Sequence, residues 1–241
     1  QSWYQKSVSR NGIVVGRRTQ NAVTADQLDA DLDAASPYAM YEMNDAYPGT
    51  SWVRGVVLLE DGALALVDRV SCSNREEIDW VCQLPGVSST VRGQRLAPRS
   101  LGDVNGYEVL GDIVVLGGEE ATSLLVSPSQ RGGSRRRVRV STAASVPSKT
   151  YLAWGVTGHD AARSGVLVRR VGHENHVVFA ALFEPVSSGG ASRSGASLTI
   201  TEGQGTARVD VRRGAKSMEI VLQEHLGGEG ARGLPTLILR E

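Results

Sequence analysis

The chain has 241 residues, 41% of them hydrophobic, so it can bury a core as one large all-β domain or as two small ones. Lys+Arg and Asp+Glu each number 26, so the formal charge is zero. Zero charge removes the basic footprint of a general nucleic-acid binder, and 5% aromatic content argues against broad base-stacking platforms. No apolar run approaches the roughly 18–20 residues of a membrane-spanning helix, and residues 1–20 carry no charged-then-apolar leader.

In chain order, SWYQKSVSRNGIVVGRRTQ (2–20) reads as too polar for a core strand. TADQLDADLDAA (24–35) carries Leu28 and Leu32 four residues apart behind a capping Thr24, which predicts one short helix near the N-terminus. WVRGVVLLEDGALALVDRV (52–70) predicts two strands joined at Glu60-Asp61-Gly62, since Asp-Gly is a strong hairpin signal. IDWVCQL (78–84) follows as a third strand, so residues 52–84 read as an antiparallel meander. Cys72 and Cys82 flank the second turn; they pair only if that loop is wide, and otherwise act as two small buried apolar residues.

Further strands are expected within residues 107–118, 121–127, 136–142, 150–156, 165–171, 176–185, 196–202, 206–213, 217–224 and 235–240. In TARVDVRR, Ala207, Val209 and Val211 alternate with Arg208, Asp210 and Arg212, the pattern of a strand with one wet face; Val138 and Val140 repeat it. VVFAAL (177–182) is apolar throughout and is expected in a sheet covered on both faces. Many short strands with regular turn signals predict an all-β fold, a large antiparallel β-sandwich, organised as a single domain over 1–241.

The chemistry-bearing groups are sparse. His173 and His176 have metal-like spacing, but the flanking Gly172 and VVFAAL place them at a turn entering a strand, facing opposite ways. His159 and His225 sit beside glycine or acidic turns. No Ser-His-Asp or Cys-His arrangement is assignable from so few histidines. Arg131, Arg135, Arg136, Arg137 and Arg139 form the strongest basic cluster, read as a solvated loop feeding an alternating strand. The paired glycines at 117–118, 132–133 and 189–190 follow no strand-to-helix pattern and make no phosphate loop.

The succession Trp3-Tyr4-Gln5-Lys6, Arg10-Asn11-Gly12-Ile13-Val14-Val15, Gln20, Tyr47-Pro48-Gly49, Arg54 and Val67-Asp68 resembles the C-terminal β-sandwich of the heparinase II/III-like polysaccharide lyases, the group that includes the related alginate lyases. GVLVRRVGHENHVVFAALFEP (165–185) resembles that family's arginine-bearing strand running into a Phe-containing strand that ends in Pro. The resemblance implies β-elimination on uronate-containing acidic polysaccharide, an α-helical toroid packing on the N-terminal edge, and a secreted or periplasmic location. It implies neither a nucleic-acid nor a membrane partner.

By the same resemblance, Tyr4, Arg10 and Asn11 are candidate substrate-binding residues, with Trp3 and Tyr4 as an interface anchor for the toroid. The family's base, acid and most metal ligands belong upstream of Trp3, so no catalytic residue and no metal ligand is expected in this chain. Family members often hold a structural zinc or calcium-like metal. Arg10 stands where the family has a ligating His, and a guanidinium cannot ligate a cation. No cofactor is therefore expected here, and the isolated chain is expected to be inactive. The alternative is a non-catalytic glycan-binding or structural β-sandwich module.

Overall fold

In a computed structural model of the chain, the residues described are 6–84, the backbone of 94–95, 100–117, 121–126, 137–155, 164–186, 196–203, 205–223 and 236–240. The fold is all-β, built from two antiparallel sheets. The larger has eleven strands and the smaller four.

Two long strands organise the large sheet: β5 (Leu64–Leu84, 21 residues) and β11 (Ser164–Val186, 23 residues). They pair antiparallel along nearly their whole length, with register shifts between Val171 and His173 and between Glu174 and His176. Such irregularities bend a strand and sharpen its twist. Before the bend, β5 is flanked by β4 (Thr50–Leu58), then β3 (Tyr38–Asn44) and β2 (Asp26–Asp31). Beyond it, β5 pairs with β1 (Gly12–Val15). β11 likewise changes partners. Its first half pairs with β10 (Ser148–Gly155), which leads to β7 (Gly111–Gly117) and β6 (Gln94–Arg95). Its second half pairs with β9 (Arg137–Ala144), which pairs with β8 (Thr122–Val126).

The sheet thereby folds over on itself. Ile13, Ile78, Trp80, Leu152 and Leu167 from one half share a core with Trp52, Val70, Leu124, Val140 and Phe179 from the other. The small sheet covers the outer face of the half containing β4. It comprises β12 (Ser197–Gly203), β13 (Thr206–Arg213), β14 (Lys216–Gln223) and β15 (Thr236–Arg240). Its Leu198, Val209, Ile220 and Leu237 pack on Val57, Val67, Val178 and Leu182. Close approach needs a small residue, and Gly55 provides it: a Cβ there would lie 2.8 Å from Leu237 Cδ1. The outer face of the other half packs Val14, Val81, Val166 and Val168 under Leu101, Tyr107 and Leu110.

The run VVFAAL is covered on both faces, as its composition predicts: Val177, Phe179 and Ala181 enter one core, Val178, Ala180 and Leu182 the other. The alternation in β13 holds too, with Ala207, Val209 and Val211 buried and Arg208 and Arg212 exposed. The Asp61-Gly62 hairpin forms with Gly62 at φ 79°.

Four expectations are corrected. The short helix over 24–35 does not form; Asp26–Asp31 is strand β2, paired with β3. Leu28 packs against the second core while Leu32 stays 73% exposed, so the four-residue leucine spacing has no common apolar surface to bury. The turn expected between Cys72 and Ile78 is instead the bend within continuous β5, and Cys72 and Cys82 are both free, buried in one core. The same holds for the turn expected at GHENH, which lies inside β11. Finally, the opening segment contributes a core strand, since every residue of β1 is buried.

Candidate functional site

The lip formed by the start of β1 and the middle of β4 is where the resemblance puts substrate contacts. Trp3 and Tyr4 lie outside the described residues. Lys6 to Arg10 make a short 3-10 turn, Arg10 N–H donating to Ser7 O at 3.0 Å. Arg10 and Asn11 are adjacent and exposed. Asn11 is tied at two points: its Oδ1 accepts from Gln83 N–H at 2.6 Å, and its carbonyl accepts from Arg54 Nη1 at 3.3 Å. Gln83 Nε2 in turn donates to Val8 O at 2.9 Å.

Behind this lip sits a carboxylate with no solvent exposure, Asp68. Cross-strand register sets it opposite Arg54. Arg54 Nε and Nη2 donate to it at 2.7 and 2.9 Å, while the indole N–H groups of Trp52 and Trp80 donate at 2.7 and 3.0 Å. Four donors occupy its acceptor sites, leaving none for proton abstraction. Burial alone lowers the Arg54 pKa, but the charge and hydrogen bonds of Asp68 raise it overall. Arg54 also lies over the Trp52 ring, 4.9 Å from its centroid. Arg54 and Asp68 enter the family-like pattern; the structure adds that they form one buried pair joining both halves of the large sheet through Trp80 and Asn11.

A second buried network occupies the outer face of the other half. Asp79 lies opposite Arg170 and accepts from its Nε and Nη2 at 2.8 and 2.7 Å, and from Tyr107 Oη at 2.5 Å. Arg170 Nη1 also reaches Leu101 O at 2.9 Å, and the guanidinium lies 3.4 Å from Glu77. Arg17 holds Glu77 with two bonds at 2.6 and 2.9 Å. Burial raises the Glu77 pKa, but the Arg17 hydrogen bond and the Arg170 and Arg17 charges outweigh it and hold the carboxyl below its ordinary value.

Three groups far apart in sequence spacing meet at the bend. His176 Nδ1 is 3.0 Å from Ser71 Oγ, and its Nε2 is 2.6 Å from Glu202 Oε2. His173 is exposed and takes no part; its carbonyl accepts from Arg75 Nε. His159, His225, Arg131, Arg135 and Arg136 lie outside the described residues. Among the described residues no group of three or more His, Cys, Asp or Glu is placed to hold a metal ion.

Comparison with solved structures places the fold. Heparan sulfate lyase HepC from Pedobacter heparinus superposes with a TM-score of 0.64 at 13% identity, over 93% of this chain and 32% of that one. A crystal structure of heparinase III superposes with a TM-score of 0.63 at 12% identity, over 92% of this chain and 30% of that one. This chain is similar in fold to one part of these polysaccharide lyases. It spans about a third of their length. No protein-family model and no curated protein sequence matches it. No described helix is long and apolar enough to cross a membrane.

Proposed function

We propose that this chain is the C-terminal β-sandwich portion of a polysaccharide lyase cleaving uronate-containing acidic polysaccharide by β-elimination. The observation that carries the reading is the fold match over more than nine-tenths of the chain to two heparan-sulfate-type lyases. β-Elimination needs the uronate carboxylate neutralised, a base for the adjacent proton and an acid for the leaving oxygen. The lip offers the first function only. Exposed Arg10 supplies a fixed positive charge for a carboxylate, with exposed Asn11 beside it; Tyr4 joins them by resemblance alone. Base and acid come from a helical partner packed on the N-terminal edge, and the protein works outside the cytoplasm, where such polymers occur.

The test is an absorbance assay for the unsaturated product on alginate, heparin and hyaluronan. It is run on this chain alone and on the full-length product of its gene. Activity in the longer protein, absent from the chain alone and lowered by Arg10→Ala, supports the reading. An inactive longer protein that still retains acidic glycan favours a second reading, a non-catalytic binding or structural module. The tying of Asn11 to Gln83 and Arg54 favours that alternative, because it gives the residue a purely structural task.

A further inference from the structure

We propose that His176 is a proton-operated latch that fastens the small sheet to the large one at the bend of β5 and β11. His176 belongs to β11 and Ser71 to β5, where register sets them side by side. Glu202 belongs to β12 of the small sheet. The imidazole spans the gap, taking Ser71 Oγ on one nitrogen and the Glu202 carboxylate on the other. The small sheet rests on the apolar packing of Leu198, Val209, Ile220 and Leu237, and a second polar tie is the ion pair of Arg213, at the end of β13, with Asp61 in the β4–β5 turn. That pair holds its charges across neutral pH, whereas an imidazole is the side chain that changes charge between about pH 5 and 8 in an ordinary setting.

The chemistry of both states follows from the geometry. A neutral ring donates from Nε2 to Glu202 and accepts the Ser71 hydroxyl proton on Nδ1. A protonated ring donates from both nitrogens, Ser71 turns to accept, and the contact with Glu202 becomes a charge-assisted bond. The groups facing the ring are Ser71 from β5 and Glu202 from β12. Glu202 also receives a hydrogen bond from Ser145, in the β9–β10 turn, and feels the positive charge of Arg69 on β5. These partners, the His176 hydrogen bond first, hold the Glu202 carboxyl below its ordinary value against the opposing effect of burial. Glu202 is thereby kept ionised, so the contact is a charge-assisted bond whenever the ring carries a proton, and the latch is tighter in that state.

Ser, His and Glu are also the parts of a nucleophilic relay, but Ser71 lies inside a central strand, paired to Ser51 on one side and His176 on the other. A position paired on both sides is unlike the loops and helix starts that present a pair of backbone donors to a developing oxyanion. The hydroxyl orients the ring.

A double-mutant cycle of His176→Gln and Glu202→Gln in this chain, read by urea unfolding at about pH 6 and pH 8.5, tests the latch. A coupling of about two- to five-fold in the unfolding constant at the lower pH, the range of a partly exposed pair, and a smaller one at the higher pH support it. Equal coupling at both values, or none, overturns it. NMR titration of the His176 ring in wild type and Glu202→Gln gives an independent reading: a lower midpoint in the variant supports the latch. An unmoved midpoint overturns the proposal. So does fluorophosphonate labelling that vanishes in Ser71→Ala, which makes the hydroxyl a nucleophile.

Discussion

Arg170 and Asp79 face each other across β11 and β5 and close two bonds of 2.8 and 2.7 Å, with Tyr107 donating a third to the same carboxylate at 2.5 Å. Asp79 is buried to within 1%. Removing one partner strands the other's charge. Arg170→Ala is expected to cost ~3–5 kcal/mol, the range for breaking a buried pair. Tyr107→Phe deletes a single bond to a charged group and is expected to cost ~1.5–3 kcal/mol. Urea midpoints at constant slope are the measurement, and an Arg170→Ala loss below that of Tyr107→Phe contradicts the account.

Asp68 serves two tryptophans and an arginine at once. Asp68→Asn keeps the shape but loses charge and turns two acceptor positions into donors that face indole and guanidinium N–H groups. The expected loss is at least ~3 kcal/mol. Trp80→Phe removes one donor and part of an aromatic side chain, for a smaller loss of ~1–3 kcal/mol. Tryptophan fluorescence during unfolding reports both, since Trp52 and Trp80 lie beside the carboxylate.

Acid lability follows from carboxyls whose folded-state pKa is depressed. Glu77 and Glu202 are below their ordinary value of 4.5, and Asp61 below 3.8, because Arg213 and the Ala63 N–H outweigh burial. A depressed pKa gives stability that is present above the unfolded-state value and is lost as pH falls through the folded-state value. The share of the melting temperature that these carboxyls supply is therefore expected to hold down to about pH 5 and to fall below it. Glu77→Gln lowers the plateau and flattens the fall. A variant whose acid limb is as steep as wild type removes Glu77 from the explanation.

Burial pushes the Cys82 thiol up to about 12 and raises that of Cys72. Thiolate is the reacting species. Both thiols are expected to resist a disulfide reagent at about pH 8 until denaturant is added, and then to react together. Fast reaction of either thiol in the native state contradicts the burial of this core.

Apolar runs and period-two alternation carried most of the strand inventory, because Val177–Leu182 and Ala207–Val211 state their own burial. The bends did not show, since Ser73-Asn74-Arg75-Glu76 and Gly172-His173-Glu174-Asn175 are as polar as true turns. What keeps them extended is that each lies alongside the other, 98 residues apart in the contact of Arg75 with the His173 carbonyl. The acidic β2 misled for the same reason: its pairing with β3, not its own periodicity, decides its state. At the lip, the types of Arg10, Asn11, Arg54 and Asp68 were legible, but their connections were not. Arg54 meets Asp68 through strand register, and His176 meets Glu202 only once the two sheets are stacked. Sequence spacing holds neither relation.

The edge of β1 has a practical consequence. Carbonyls along it are taken by side chains: Ile13 O by Tyr47 Oη at 2.9 Å, Val15 O by Arg18 Nε at 3.3 Å and, just before the strand, Asn11 O by Arg54. A border strand whose outward acceptors are already engaged offers an incoming chain only half of a ladder to zip onto. This rim is thus a poorer template for intermolecular pairing than a bare edge, which suits a module to be grafted beside other domains without recruiting them into fibres.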